Sequence, residues 1–249
     1  MGRGLPEVVS TPAIKPKVAT PVQRIVRGPP CLPAPDTSAL PETVRTYVSP
    51  ELRGRLNTLV HYSNPQVHMY AIGSLPQQLH WGAASGGADD LSSYVTFQGV
   101  PVKVWFPAEV KVPWFFDDEG AILKKASICF KPIRQVDYDR AVIILTTFAN
   151  PPTDAPEKEG IWAAAWLAGK DTPAHQVSEF AEVYDARNAF RAKRDMKKLE
   201  VSILKPNDIV LVETLVRRFI PRENNKRKAV RAPTDLPARS ADSNVEVDI

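Results

Sequence analysis

The chain has 249 residues, of which 43% are apolar and 24% charged, so it is long enough for one domain with tails or for two small domains. Its two cysteines, Cys31 and Cys129, are too few for a disulfide framework or a four-ligand zinc site. The N-terminus lacks the apolar segment of a secretory signal, and no apolar run reaches the ~18–20 residues that span a bilayer. We therefore expect an intracellular protein that does not bind membranes.

The formal net charge of +4 is distributed unevenly along the chain. Residues 1–31 hold five basic groups against one acid, residues 187–198 hold six against one, and residues 217–231 hold seven against one. Acidic residues are concentrated in the middle of the sequence. Such a layout favours polyanionic partners more strongly than the net charge alone suggests.

Residues 1–45 are predicted to form a proline-rich basic arm without ordered structure. Nine of the 24 prolines lie within the first 41 residues, and each one fixes φ and removes a backbone donor. Few large apolar side chains are present to offset the entropy lost on ordering. Simple disorder is one interpretation of this arm, and a segment that folds on a partner is the other.

Residues 46–221 are predicted to form one β-rich domain that opens with a helix near residues 50–62. Ser49 offers a capping hydroxyl, Pro50 suits the first turn, and Glu51 places a carboxylate at the positive end of the helix dipole. Leucines follow at helical spacing, and an Asn-Pro pair ends the segment.

Four later segments have the features of β-strands. Alternating or continuous apolar residues mark them, and turn-forming residues such as Asp117–Gly120 separate them. The run AVIILTTF is apolar on both faces and is therefore placed at the centre of the sheet. The predicted strands span residues 67–75, 95–106, 121–133 and 141–148. Short strands at this spacing indicate an antiparallel barrel or sandwich.

Two more helices are predicted near residues 161–168 and 176–198. The first is rich in alanine and carries Trp162 and Trp166 four residues apart, which is typical of core anchors rather than ligand contacts. The second has acids in its first half and bases in its second half, as the helix dipole favours. In a helix, Arg187, Arg191, Arg194 and Lys198 would share one stripe. That stripe is either a solvated end or a ridge that contacts phosphates.

The aromatic residues around Trp114 and Phe115 are a second candidate surface. Consecutive residues of a strand point to opposite faces, so one member of such a pair lies outside the shared core. An exposed aromatic side chain beside Lys103 or Lys111 would be able to stack on a base. The alternative is that both faces of this strand are covered.

The segment LKPNDIVLVE (204–213), continuing to residues 216–218, resembles the penultimate strand of OB-fold single-strand-binding proteins. In that family a Leu-Lys-x-Gly-Asp turn precedes a Val-x-Val strand and a basic residue further along. Asp208, Val210 and Val212 match this pattern. The strand lies within Leu199–Ile220, which is predicted to be a strand–turn–strand unit.

Two residues depart from the family pattern. Asn207 and Thr214 stand where the family commonly has Gly, and Asn tolerates the positive φ that such a turn needs. A closing strand should follow, for which residues 238–249 offer only a poor match. The resemblance implies an OB-like fold that binds single-stranded nucleic acid across one face of a barrel with basic and aromatic contacts.

No catalytic or metal-binding pattern is present at recognisable spacing. The four histidines fit no usual zinc arrangement, and neither a nucleophile elbow nor a phosphate-binding glycine loop occurs. Carboxylate pairs such as Asp117-Asp118 lie in predicted turns. A metal-dependent enzyme that uses such pairs to bind its metal ion is a third interpretation. We expect a protein that is not an enzyme and that uses no cofactor and no metal.

The sequence therefore predicts a mainly β fold with a few helices, and with disordered tails that include a basic then acidic segment at 222–249. Its expected function is binding of single-stranded DNA or RNA, with a nuclear location and with self-association left open. The alternative is a self-assembling structural protein, such as a viral coat subunit with a nucleic-acid-facing basic arm, located in the virion. The predicted nucleic-acid-binding residues are Arg187, Arg191, Arg194, Lys198, Arg217, Arg218, Lys226, Arg227, Lys228, Trp114 and Phe115.

Overall fold

A computed structural model describes residues 32–41, 48–85, 90–148, 160–169 and 171–218, and the backbone of 245–248. Within these ranges the chain forms two α-helices and ten β-strands. The helices are α1 (Pro50–Leu59) and α2 (Gln135–Phe148). The strands are β1 (Ser63–Asn64), β2 (Met69–Ala71), β3 (His80–Trp81), β4 (Val95–Phe97), β5 (Val100–Pro101), β6 (Lys103–Phe116), β7 (Ile122–Pro132), β8 (Ile161–Trp166), β9 (Ile209–Arg218) and β10 (Val245–Asp248).

The large sheet has seven strands in the order β1-β2-β6-β7-β8-β10-β9, and β9 also pairs with β6. β6 and β7 form a long antiparallel hairpin, and β8 continues the sheet on the far side of β7. β9 runs antiparallel to the first half of β6. β3, β4 and β5 form a separate three-stranded sheet.

One hydrophobic core lies between the large sheet, the small sheet and α2. Phe106 and Phe130 come from the large sheet, Val95 from β4 and Ile144 from α2, and all four side chains are buried in the same cluster. The fold is thus mainly β, as predicted, and sandwich-like. It is not a closed barrel, although β9 pairs with both β10 and β6.

Helix α1 confirms the first predicted helix. Ser49 accepts a hydrogen bond from the backbone N–H of Leu52 at 3.2 Å, and Pro50 occupies the first turn. Leu56 and Val60 are buried in a second, smaller apolar cluster that also includes Leu40.

Residues 141–148 are helical, so the prediction of a central strand there is wrong. They form the second half of α2, in which Ala141, Ile144 and Phe148 are buried on one side. The sequence pattern could not separate these possibilities, because a short apolar run fits a buried strand and a buried helix equally well.

Residues 161–168 were predicted to be a helix, and this is also wrong, since Ile161–Trp166 is strand β8. Ile161 and Ala163 face the core, while Trp162 and Trp166 face outward. A spacing of four residues places two side chains on the same face of a strand as well as of a helix.

The predicted helix at 176–198 does not form, and its charged half is an open loop. Within residues 185–198, which we call the basic strap, the only regular structure is a 3-10 turn at Lys193–Asp195. The base of the strap is closed by two backbone hydrogen bonds, from Asp185 N–H to the Lys197 carbonyl at 2.8 Å and from Leu199 N–H to the Val183 carbonyl at 2.9 Å. An open loop leaves the six cations in water, whereas a helix would have turned four of them toward the core.

The other predicted strands are partly confirmed. The 121–133 strand corresponds to β7, but the 67–75 strand shortens to β2 with a 3-10 turn on either side. The 95–106 strand is interrupted at Gln98–Gly99, where both residues have positive φ.

The strand–turn–strand predicted for Leu199–Ile220 has only its second strand, β9, because a 3-10 turn occupies Val201–Ile203. Asn207 adopts a φ of 73° at the turn before β9, as expected for a Gly replacement. Thr214 is buried, with its hydroxyl 3.4 Å from the Val104 carbonyl on β6.

The predicted arm ends earlier than residue 45, because residues 32–41 pack on the domain. Leu32 and Leu40 are buried. Arg134, which is 1% exposed, donates to the Ser38 carbonyl at 2.8 Å and to Asp36 Oδ1 at 3.1 Å. The predicted disorder of residues 1–31, 42–45 and 222–244 falls outside the described residues. The predicted disorder of residues 245–248 is wrong, because they form strand β10.

Candidate functional site

The outer face of strands β6, β7 and β8 carries three exposed tryptophans. Trp114 is 53% exposed, Trp162 43% and Trp166 65%. Pairing of β6 with β7 sets Trp114 opposite Ser127, and pairing of β7 with β8 sets Trp162 opposite Cys129 and Trp166 opposite Lys125. Opposed residues of neighbouring strands share a face, so these side chains form one surface, which we call the tryptophan face.

The rings on this surface lie close enough to act together. The Trp114 and Trp162 ring centroids are 6.1 Å apart at an interplanar angle of 62°, which is an edge-to-face arrangement. Ser127 and Ala164, which have short side chains, lie opposite one another on β7 and β8 between the tryptophans. The surface is therefore an exposed aromatic platform.

A lysine side chain completes the tryptophan face. The Lys125 Nζ lies 5.5 Å from the centroid of the Trp166 ring, within the range of a cation–π contact. A cation held beside an aromatic ring is suited to a ligand that has both a flat group and a negative charge.

Exposed large apolar side chains are concentrated on the tryptophan face. Of the nine large apolar side chains that are exposed in the described residues, four lie on the tryptophan face: Val112, Trp114, Trp162 and Trp166. Inner-face residues of the same strands, such as Ile128 and Phe130, are buried. Contiguous exposed apolar surface of this kind is typical of an interaction site.

Phe115 was predicted to contact nucleic acid together with Trp114, and the structure contradicts this. Its side chain points to the inner face, where it is buried and stacks on Phe180 with the ring centroids 6.1 Å apart. The alternation of a strand explains the result, because only one of two consecutive residues reaches the outer surface. That residue is Trp114.

The basic strap holds Arg187, Arg191, Arg194 and Lys198, but not as the helical ridge that the sequence predicted. Arg187 pairs with Asp185 at 2.7 Å and lowers the pKa of that carboxyl to about 2, chiefly through its side-chain hydrogen bonds. All four of these basic side chains are exposed. A polyanion would therefore reach them without opening the core.

Lys198 belongs to a small aromatic cluster at the base of the strap. It pairs with Glu182 at 3.0 Å, and its Nζ lies 5.5 Å from the Tyr184 ring centroid. Hydrogen bonds from Tyr184 and Lys198 lower the pKa of Glu182, and the Glu182 carboxylate raises the pKa of Lys198.

Arg217 and Arg218 lie at the end of β9, beside the small sheet. The Arg217 guanidinium lies 5.2 Å from the Tyr94 ring centroid, and that of Arg218 lies 4.5 Å from the Trp81 ring centroid. Arg218 Nε also donates to the Ser92 carbonyl at 2.9 Å. Arg218 thus joins the two sheets, whereas Arg217 is exposed.

The remaining predicted residues, Lys226, Arg227 and Lys228, lie outside the described residues. Within the described part of the chain, no group of three or more His, Cys, Asp or Glu side chains could hold a metal ion. None of the helices that the structure describes is long and apolar enough to cross a membrane.

No protein-family model, curated protein or solved structure matches this chain. The candidate site is therefore identified only from the positions of the side chains in this chain.

Sequence reasoning missed Trp162, Trp166 and Lys125 as members of the site. Their segment was assigned to a helix, in which tryptophans four residues apart anchor a core. The run IWAAAW offered no local signal against a helix, because residues four apart share a face in a strand as well as in a helix.

Proposed function

We propose that this protein binds single-stranded nucleic acid by stacking bases on the tryptophan face. The observation that carries the proposal is the exposure of Trp114, Trp162 and Trp166 on one surface of three adjacent strands. Every base has a flat π face, so such a platform accepts unpaired bases with little regard to sequence. A duplex hides those faces in its own stack.

The position of the tryptophans in the fold supports the same proposal. OB folds bind oligonucleotides on the face of their second and third strands. Five strands of the large sheet pair in the order β6-β7-β8-β10-β9, and β7 and β8 are the second and third of these five in chain order. Trp162, Trp166 and Lys125 lie on those two strands, where the resemblance noted around Asp208 leads us to expect base contacts.

The charged parts of the chain supply the electrostatic component. The basic strap carries six cations, and Arg217 stands at the exposed end of β9. Lys226–Lys228 follow in the sequence. Contacts of this kind attract phosphates without reading sequence, and they weaken as salt is added.

A titration of fluorescein-labelled dT₁₆ and U₁₆, followed by fluorescence anisotropy at 50 and 200 mM salt, tests the proposal. The wild-type protein is expected to bind both, and more weakly at the higher salt concentration. Trp162→Ala with Trp166→Ala is expected to reduce affinity about thirtyfold or more, since each stacked base contributes roughly 1–3 kcal/mol. The matched control is Val67→Ala with Val100→Ala, which removes exposed apolar groups elsewhere.

Two results would overturn the proposal. One is a wild-type protein that leaves the anisotropy unchanged at 50 mM salt. The other is equal loss of affinity in the tryptophan and valine double variants, because binding would then not depend on the tryptophan face.

Self-assembly is the second candidate function, and the same exposed tryptophans favour it because they would also suit a contact between subunits. Light scattering separates the two. A large homo-oligomer that the Trp162→Ala, Trp166→Ala protein fails to form, combined with no binding of oligonucleotide, would assign the tryptophan face to assembly.

A further inference from the structure

A second aromatic site lies under the tip of the basic strap. Trp105 is on the outer side of β6, and the Tyr62 ring stacks on it with a centroid distance of 4.3 Å and an interplanar angle of 21°. The Phe190 ring, from the strap, meets Trp105 edge-on at 5.3 Å. Trp105 is consequently buried, although it belongs to the outer face.

A carboxylate lies beside the same ring. The indole N–H of Trp105 donates to Glu213 Oε2 at 3.0 Å. The other oxygen, Oε1, accepts from Lys193 of the strap at 3.1 Å and lies 3.9 Å from Lys103 Nζ. The strap thus covers Trp105 with one aromatic ring and satisfies Glu213 with one cation.

The strap is held over this site by few contacts. None of its side chains is buried, and Phe190 itself remains 40% exposed. At its base the strap is closed by backbone hydrogen bonds, by the Lys198–Glu182 pair and by the contacts of Lys193 and Lys198 with the Tyr184 ring. Toward its tip, its ties to the rest of the domain are Phe190 on Trp105, the Lys193–Glu213 pair, and two hydrogen bonds from Arg55 to the carbonyls of residues 186 and 187. Segments with little buried apolar surface open at low cost in free energy.

We propose that Trp105 and Glu213 form a further nucleobase subsite, which Phe190 and Lys193 occupy until a nucleic-acid strand displaces them. A base would replace the Phe190 ring against Trp105, while phosphates would draw the cations of the strap away from Glu213. The freed carboxylate oxygen accepts hydrogen bonds and cannot donate them, so it favours a base edge with N–H donors. Guanine, with adjacent N1–H and N2–H groups, fits best, and thymine fits least.

This inference rests on the proposed function, because it extends the path of the bound nucleic-acid strand from the tryptophan face along β6. Trp105 precedes Val112 of the tryptophan face by seven residues, about 23 Å at ~3.3 Å per strand residue. One OB fold contacts ~4–16 nucleotides of single strand, so a single bound strand can be long enough to reach both surfaces.

The test uses the full-length protein labelled with 5-fluorotryptophan and followed by fluorine NMR. The chain has five tryptophans, so the five resonances can be assigned by single Trp→Phe substitutions. The probes are dT₁₆ and the same strand with one thymine near its middle replaced by guanine. We expect the Trp105 resonance to shift along with those of Trp162 and Trp166, and the guanine-containing strand to bind about tenfold more tightly.

The Phe190→Ala variant tests the displacement itself. Removing the competing ring raises the population of the open site, so affinity for dT₁₆ is expected to increase about threefold or more. Ile203→Ala is the matched control, because Ile203 is similarly exposed at 43% and lies outside the strap. It should leave affinity unchanged.

The failures of the two proposals can be told apart. If Trp162 and Trp166 shift on titration while Trp105 does not, and Phe190→Ala binds as the wild type does, the subsite is disproved and the tryptophan face stands. If none of the tryptophan resonances shifts, both proposals fail.

Discussion

Two arginines in this molecule each form a two-pronged pair with an aspartate, one in the core and the other in solvent. Arg134 forms a bidentate pair with Asp137, at 2.8 Å from Nε and 2.6 Å from Nη2, and both side chains are almost completely buried. Arg187 forms a similar fork with Asp185, at 2.9 and 2.7 Å, with its side chain 72% exposed. The geometry of the two arginine–aspartate forks is alike, but their exposure to solvent differs.

The difference in solvent decides what each pair can do. A buried charge that loses its partner cannot return to water, so the Arg134 pair fixes one arrangement of the chain. It ties α2 to residues 32–41 through Asp36 and Ser38 and to α1 through the Val60 carbonyl. The Arg187 pair exchanges with water and ions at little cost, and its guanidinium is available to a ligand.

The largest expected effect is that of removing the buried cation. Arg134→Ala leaves Asp137 buried without its partner and releases residues 32–41, so we expect a loss of about 3–5 kcal/mol in the free energy of unfolding. Urea denaturation of Arg134→Ala and Arg187→Ala measures the contrast. Arg187→Ala should unfold with the wild-type midpoint, and equal losses in the two variants would refute the distinction between the sites.

The next largest expected loss of stability is steric and concerns the same buried Arg134–Asp137 pair. A Cβ on Gly73 would clash with Arg134 Nη2 and stand 2.8 Å from Asp137 Oδ1. Because the pair has no room to move, Gly73→Ala is expected to destabilise the fold by about 1–3 kcal/mol, as other overpacked cores do.

Gly54, within α1, provides the matched control for that substitution. Nothing lies within 4 Å of a Cβ placed there. Gly54→Ala should therefore stabilise the protein by about 0.5–1 kcal/mol, because alanine replaces glycine inside a helix. Thermal unfolding of both variants should show shifts of opposite sign, and a neutral Gly73→Ala would mean that the network is looser than its distances indicate.

The buried arginine site shows how far the sequence could predict the fold. The mainly β class and the first helix followed from alternation and from the Ser49-Pro50-Glu51 cap, which are local signals. The anchoring of residues 32–41 did not, because it depends on Arg134 reaching a segment almost a hundred residues away. Proline content alone made that segment look like part of an arm.

The candidate site was predictable to a smaller extent. Trp114 and the positions of the basic clusters could be identified from composition and alternation. Trp162 and Trp166 could not, because their spacing fits a helix and a strand equally, and only pairing with β7 decides between them. The covering of Trp105 by Phe190 is a contact between distant parts of the chain, and no local pattern encodes it.

The smallest expected effect is a pH response confined to the basic strap. Arg187 holds the pKa of Asp185 at about 2, below its usual value near 4, and Tyr184 and Lys198 lower that of Glu182. A lowered folded-state pKa contributes stability that is present above the unfolded value and lost as pH falls through the folded one. The Asp185–Arg187 and Glu182–Lys198 pairs therefore persist at neutral pH and weaken between about pH 4 and pH 2.

Amide hydrogen exchange at Arg187 measures this response, because its backbone N–H donates to Asp185 Oδ1 at 3.1 Å. Protection of this amide should fall in that acid window, and Asp185→Asn should remove most of the dependence on pH. The Arg134 network should respond differently, since its loss would unfold the domain rather than expose one loop. If acid released the strap and unfolded the domain at the same pH, the strap would be part of the cooperative core, and its displacement by a nucleic-acid strand would require opening that core.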